Sequence, residues 1–197
     1  MSDQKIVYII PGFRQHPTQK AYRELTKLLK HEGYRPVPVR ISWKETTLSE
    51  NTAYFLRQFN KNQAKKKYIL GFSFGAIIAF LASTKVRSSG LILCSLSPYF
   101  KEDLVKARAS SMSSITTRRF DDLSQLRCSS LAKQIKAKQT LLLYGTKEAK
   151  PLIDRVLKAY RHIASPRKSL VRVIETEHDI SDTRYLQTIQ RAARTLH

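Results

Sequence analysis

Acidic residues are scarce in this chain. Its 197 residues hold 15 Asp and Glu against 36 Lys and Arg, a formal net charge of +21. Such a field favours nucleic acid, anionic membrane surfaces or anionic substrates. Yet the bases are spread along the whole sequence, only Lys65-Lys66-Lys67 forms a tight run, and no recognition helix, zinc finger or aromatic RNP-type motif accompanies them. Dispersed charge of this kind is a solvated surface, and no specific nucleic-acid partner is expected. Cysteine is nearly missing too. Cys94 and Cys128 have neither CxxC nor Cys/His metal spacing, which excludes a disulfide framework and a zinc site and points to a reducing, cytoplasmic setting. Cys94, inside LILCS, reads as a buried, inert thiol. No apolar run approaches the roughly 20 residues of a membrane span. The N-terminal MSDQKIVYIIPG carries an early acid and only a short apolar run, so it is expected to be a first strand and not a signal peptide.

What is present describes an ordinary globular chain, 42% hydrophobic and 26% charged, of a length that suits one domain over 1–197. Six short apolar runs rich in β-branched residues predict strands: Lys5–Ile10, Arg35–Ile41, Tyr68–Gly71, Leu91–Ser95, Thr140–Tyr144 and Leu170–Glu175. Pro36 and Pro38 confine the second to an edge or to irregular pairing. Amphipathic patterns between them predict helices over Gln19–His31, Ser49–Gln63, Leu123–Lys136, Pro151–Ile163 and Asp182–Leu196. Phe74–Lys85 is apolar almost all round and is expected to be the most buried helix. Strands alternating with helices mean βαβ crossovers and a mainly parallel sheet. Residues 97–122, with RASSMSSITTRR at their centre, break the rhythm, either as a small lid or as a polar connecting loop.

The chemistry is concentrated in YILGFSFGAIIAF. Here an apolar strand runs through Gly71-Phe72-Ser73-Phe74-Gly75 straight into an apolar helix. A nucleophile elbow needs this arrangement, because the serine backbone is strained and the residues two before and two after it pass too close for side chains. Gly71 and Gly75 meet that demand, and Ser73 stands at a helix N-terminus where free N–H groups favour developing negative charge. Neither GxGxxG nor GxxxxGK[ST] occurs, which argues against a nucleotide loop.

IVYIIPGFRQ, YILGFSFGAI, TLLLYGTKE and VIETEHD together resemble the α/β-hydrolase family in its small, nearly lidless form. The resemblance spans essentially the whole chain and lacks only the antiparallel strands that larger members carry before the first parallel one. It implies an α/β, three-layer sandwich of about six mainly parallel strands with helices on both faces. In that family the triad runs serine, acid, histidine along the chain. The resemblance therefore makes His178, after the last strand, the base. It makes Glu148 the acid, in Gly145-Thr146-Lys147-Glu148, where an aspartate is commoner. Asp103, after the fourth strand, is the alternative acid, and Asp179 is expected to point away from the imidazole. The oxyanion hole would use the backbone N–H groups of Phe13, in PGFRQ, and Phe74; Pro11 replaces the family's usual histidine.

These residues imply a serine hydrolase acting on a carboxylic ester or related small-molecule acyl compound, without metal or organic cofactor, with thioester and peptide substrates sharing the same acyl-transfer chemistry. Phe13, Phe72, Phe74 and Tyr99 would give the site aromatic walls. The alternative is a catalytically idle module of the same fold that docks an anionic partner through its basic surface.

Overall fold

The computed structural model describes residues 4–105 and 115–196. Strands β1 (Lys5–Ile10), β2 (Tyr34–Pro38), β3 (Lys66–Phe72), β4 (Gly90–Cys94), β5 (Gln139–Gly145) and β6 (Arg167–Val173) form one sheet in the order β2-β1-β3-β4-β5-β6. Every pairing is parallel. The helices described are α1 (Lys20–His31), α2 (Leu48–Lys61), α3 (Phe74–Lys85), α4 (Lys101–Leu104), α5 (Thr117–Gln125), α6 (Cys128–Ala132), α7 (Lys150–His162) and α8 (Thr183–Arg194).

The pleat sends alternate side chains to opposite faces, and helices cover both. Val7 and Ile9 of β1 pack with Tyr22, Leu25 and Leu29 of α1 and with Tyr185 and Ile189 of α8. Ile6, Tyr8 and Ile10 face the other way, toward Phe55 and Phe59 of α2, Ile77 of α3 and Val156 of α7. Helix α3 is buried from Gly75 to Thr84, the geometric reason its sequence has no polar stripe. Full burial of each large side chain on it contributes about 1.5–3 kcal/mol. As its two prolines require, β2 lies at an edge and pairs with β1 alone.

One helix departs from the pattern read in the sequence. The span expected over Leu123–Lys136 is two pieces, α5 beginning earlier at Thr117 and α6 ending at Ala132. Glu102 of α4 explains the break, since its carboxylate accepts from the Cys128 and Ser129 N–H groups at 3.0 and 3.1 Å and so starts a new helix there. That cap comes from 26 residues upstream in the chain, beyond the reach of a periodicity argument. Within 97–122, the described helices are α4 and the beginning of α5, and Asp122 ties the latter to the N-terminus of α2 by accepting from Leu48 and Ser49 N–H at 3.0 and 3.1 Å. Residues 106–114, the centre of that segment, lie outside the described residues.

Strand order places the site. The chain leaves β1 toward one edge, then crosses back to β3 and proceeds to the other edge. At this switch point the connections diverge and open a crevice beyond the carboxyl ends of β1 and β3. The turns that follow those strands carry Phe13 and Ser73.

Candidate active site

Ser73 has φ 57° and ψ −120°, a left-handed-side backbone that a non-glycine residue adopts only when its surroundings hold it there. Both flanking glycines are sterically required. A Cβ on Gly71 would strike the Gly75 carbonyl, and one on Gly75 would strike the carbonyls of Ile10 and Pro11. Gly75 thus also lets the start of α3 press against the exit of β1. The Ser73 N–H donates to Cys94 O at 2.9 Å, fastening the elbow to β4.

The Ser73 hydroxyl lies 2.9 Å from His178 Nε2. Behind the imidazole, Glu148 Oε1 is 3.7 Å from Nδ1. These three residues come from the exits of β3, β6 and β5. The two later exits are laced together: Lys147 N–H donates to Thr176 O at 2.9 Å, Thr146 N–H to Val173 O at 3.0 Å and Glu175 N–H to Thr146 Oγ1 at 2.9 Å. The Phe72 ring stacks on the imidazole, centroids 5.0 Å apart and planes 29° apart, so the residue before Ser73 also fixes the plane of the His178 ring. Asp179 turns away, binding Ser181 N–H and Oγ at 2.7 Å each. Asp103 is engaged elsewhere: Arg155 Nε donates to it at 2.8 Å, a second guanidinium nitrogen also donates to it, and it accepts from Phe100 N–H at 3.1 Å.

In the turn after β1, Gly12 N–H donates to Tyr22 Oη and Gln15 Oε1, both at 3.0 Å, which anchors PGFRQ to α1. The next N–H, that of Phe13, has no acceptor among the described residues. Phe74 is the first residue of α3, so its N–H has no intrahelical acceptor either. The rings of Phe13 and Phe74 lie 5.3 Å apart, and Tyr99 packs on Phe74 at 4.7 Å.

Three residues at this site escaped the sequence reading. Ser95, the first residue beyond β4, donates its hydroxyl proton to Glu148 Oε1 and lies 2.5 Å from Tyr185 Oη. Ser97 Oγ is 3.0 Å from the Ser73 hydroxyl. All three are buried, and burial with the neighbouring charge of Glu148 holds the Tyr185 phenol well above its ordinary range. The sequence marks Ser95 and Ser97 only as two serines just beyond the β4 run, with nothing local to say that one meets Glu148 and the other Ser73. Cys94 is fully buried, and desolvation raises its thiol far out of the reactive range.

A cleft of about 960 Å³ opens over Ser73 and His178, walled by Phe13, Phe72, Phe74, Tyr99, Pro151 and Leu152. Among the described residues no group of three His, Cys, Asp or Glu side chains converges as metal ligands do. No helix among them is long and apolar enough to cross a membrane.

No protein-family model matches the chain, and no curated protein matches its sequence. Solved structures do match. Est1E from Butyrivibrio proteoclasticus has a TM-score of 0.83 at 14% identity, over 97% of this chain and 86% of that one. The esterase Pf2001 from Pyrococcus furiosus has 0.75 at 17%, over 96% and 81%. Alpha/beta hydrolase domain-containing protein 10 from mouse has 0.72 at 14%, over 95% and 87%. The chain has the α/β-hydrolase fold.

Proposed function

Proceeding from the α/β-hydrolase fold, we propose that this protein is a serine hydrolase that cleaves a carboxylic ester or related acyl compound through an acyl-enzyme on Ser73. The observation that carries the proposal is the 2.9 Å contact between an elbow serine and His178 Nε2, with a buried carboxylate on the far side of the ring. Ser73 Oγ attacks the carbonyl while His178 takes its proton, then returns it to the leaving group. Glu148 selects the tautomer that leaves Nε2 free to accept and stabilises the imidazolium; its 3.7 Å separation from Nδ1 shortens as that charge develops. The Phe13 and Phe74 N–H groups hold the tetrahedral oxyanion, a donor pair in which each member is typically worth about 10²–10³ in rate. Water, activated by the same imidazole, then releases the acid.

The aromatic walls of the cleft favour an apolar acyl or aryl group. Est1E is known with ferulic acid, an aromatic carboxylic acid, bound to it, and that supports aryl esters as the first substrates to try. The test is covalent labelling with a fluorophosphonate, followed by hydrolysis of nitrophenyl esters of increasing chain length. The expected result is one adduct, on Ser73, and turnover that depends on acyl length. Absence of an adduct, or an equal one in Ser73→Ala, overturns the proposal; salt-sensitive binding of a polyanion by a protein that hydrolyses nothing would favour the docking module instead.

A further inference from the structure

We propose that the exit of β4 supplies two further functional residues: Ser95, which positions the Glu148 carboxylate, and Ser97, which touches the nucleophile. The inference rests on the hydrolase reading above and adds a fourth strand exit to the three that carry the triad.

Proton counting fixes the directions of these bonds. A carboxylate only accepts, so the single Ser95 proton goes to Glu148 Oε1, and the Tyr185 hydroxyl, which also reaches Leu143 O at 3.4 Å, donates to the nearer Ser95 Oγ. Among the described residues, Glu148 Oε2 is buried without a partner, and Oε1 stands 3.7 Å from the imidazole. Ser95 is therefore the hydroxyl that aims this carboxylate, and Tyr185, held on α8, aims Ser95. The backbone supports a selected role. Ser95 sits at φ 51°, where glycine is at ease and serine is strained, so the position keeps a side chain at a conformational cost.

At the other end, the Ser73 proton is given to neutral His178 Nε2, so the 3.0 Å contact with Ser97 is donated by Ser97. A donor on the attacking oxygen stabilises the negative charge that grows as its proton leaves. Once that oxygen is an ester it accepts poorly, and the Ser97 hydroxyl is released toward the cleft that it lines.

Fluorophosphonate labelling rates of the full-length protein test both roles. Ser95→Gly relaxes the strained backbone, so its melting temperature should stay near that of the wild type while its labelling rate falls about 10–100-fold, as expected for losing a hydrogen bond to a charged group. On a Glu148→Gln background the same change should cost less than about threefold, because the residue acts through the carboxylate. Ser97→Ala should lower the labelling rate about 5–10-fold and lower kcat for a nitrophenyl ester without raising KM. A Ser95→Gly protein as reactive as the wild type, or a Ser95→Gly loss repeated in full beside Glu148→Gln, overturns the positioning role. An unchanged Ser97→Ala overturns the other. A wild type that resists the probe overturns the hydrolase reading itself, which keeps the two failures apart.

Discussion

The serine end and the carboxylate end of the Ser73–His178–Glu148 row are built in opposite ways. Ser73 is shaped mainly by its own neighbours in sequence: Gly71 and Gly75 permit the turn, Phe72 and Phe74 flank it, and α3 begins at once, with one bond to Cys94 O on β4 fastening the turn. Glu148 is held by residues far away in the chain, Ser95 at a separation of 53 and His178 at 30, with Tyr185 behind Ser95. A local device is stable to changes elsewhere in the chain but unforgiving of any change within five residues. A distributed device spreads its geometry over several loops, and each loop is a separate way to lose it.

The largest expected effect breaks the local end. Ser73→Ala removes the attacking atom while leaving the elbow glycines in place, and turnover should fall by about 10⁵–10⁶ with the fold retained. Steady-state hydrolysis of a nitrophenyl ester beside a far-UV circular dichroism spectrum measures both; residual activity within about a hundredfold would mean the nucleophile lies elsewhere. The distributed end should be more tolerant. Glu148→Gln is isosteric, keeps an acceptor for Ser95 and loses the charge, and kcat should fall by about 10³–10⁴. The same assays decide it, since a loss as large as that of Ser73→Ala would mean that Glu148 does more than orient and stabilise the base.

This contrast also explains which features are legible in the sequence. G-x-S-x-G between an apolar strand and an apolar helix is a contiguous signal; the demand on Gly71 comes from Gly75 within the motif, and only that on Gly75 comes from afar, from the Ile10 and Pro11 carbonyls. The parallel sheet was legible for the same reason, because each buried strand is a short continuous run. Glu148 and His178 were reachable only through the resemblance, which supplied an order along the chain that local chemistry does not. Ser95, Ser97 and Tyr185 were not reachable, because their meaning lies in contacts across 53, 24 and 90 residues and serine and tyrosine are common in strand exits and helices. The break between α5 and α6 was missed likewise, since its cause is the side chain of Glu102.

Asp103 sharpens the comparison between the two candidate acids. Its carboxylate grips Arg155, whose side chain is only 3% exposed and lies over the Phe100 ring at 5.2 Å. Removing one partner of such a pair leaves a buried charge uncompensated, which costs about 3–5 kcal/mol, somewhat less where asparagine retains one acceptor. Asp103→Asn should therefore lower stability by about 3 kcal/mol while kcat stays within a few-fold, the reverse of the Glu148→Gln signature. Denaturant melts and turnover on the same sample separate them. A stable Asp103→Asn with a large loss of kcat would transfer the role of the acid from Glu148 to Asp103.

The smallest effect concerns the far end of α8, the helix that brings Tyr185 to Ser95. Glu32, just after α1, accepts from Arg194 through two bonds of 2.7 and 2.8 Å and from Gln190 at 2.6 Å, so one carboxylate ties α1 to the last turn of α8. The Arg194 hydrogen bonds are the main cause of its lowered pKa, about 2 against an ordinary 4.5. A carboxyl depressed in the folded state stabilises that state fully above its unfolded value, and the contribution is lost as pH falls through the folded one. The melting temperature of Glu32→Gln should then lie slightly below that of the wild type at pH 7, by about 1–3 °C for an exposed ion pair. That gap should close between about pH 4.5 and pH 2 and narrow in molar salt. A gap that persists unchanged at pH 2 would show that shape, and not charge, fastens this end of α8. Among the many cations of this chain, the geometry of Glu32 selects Arg194.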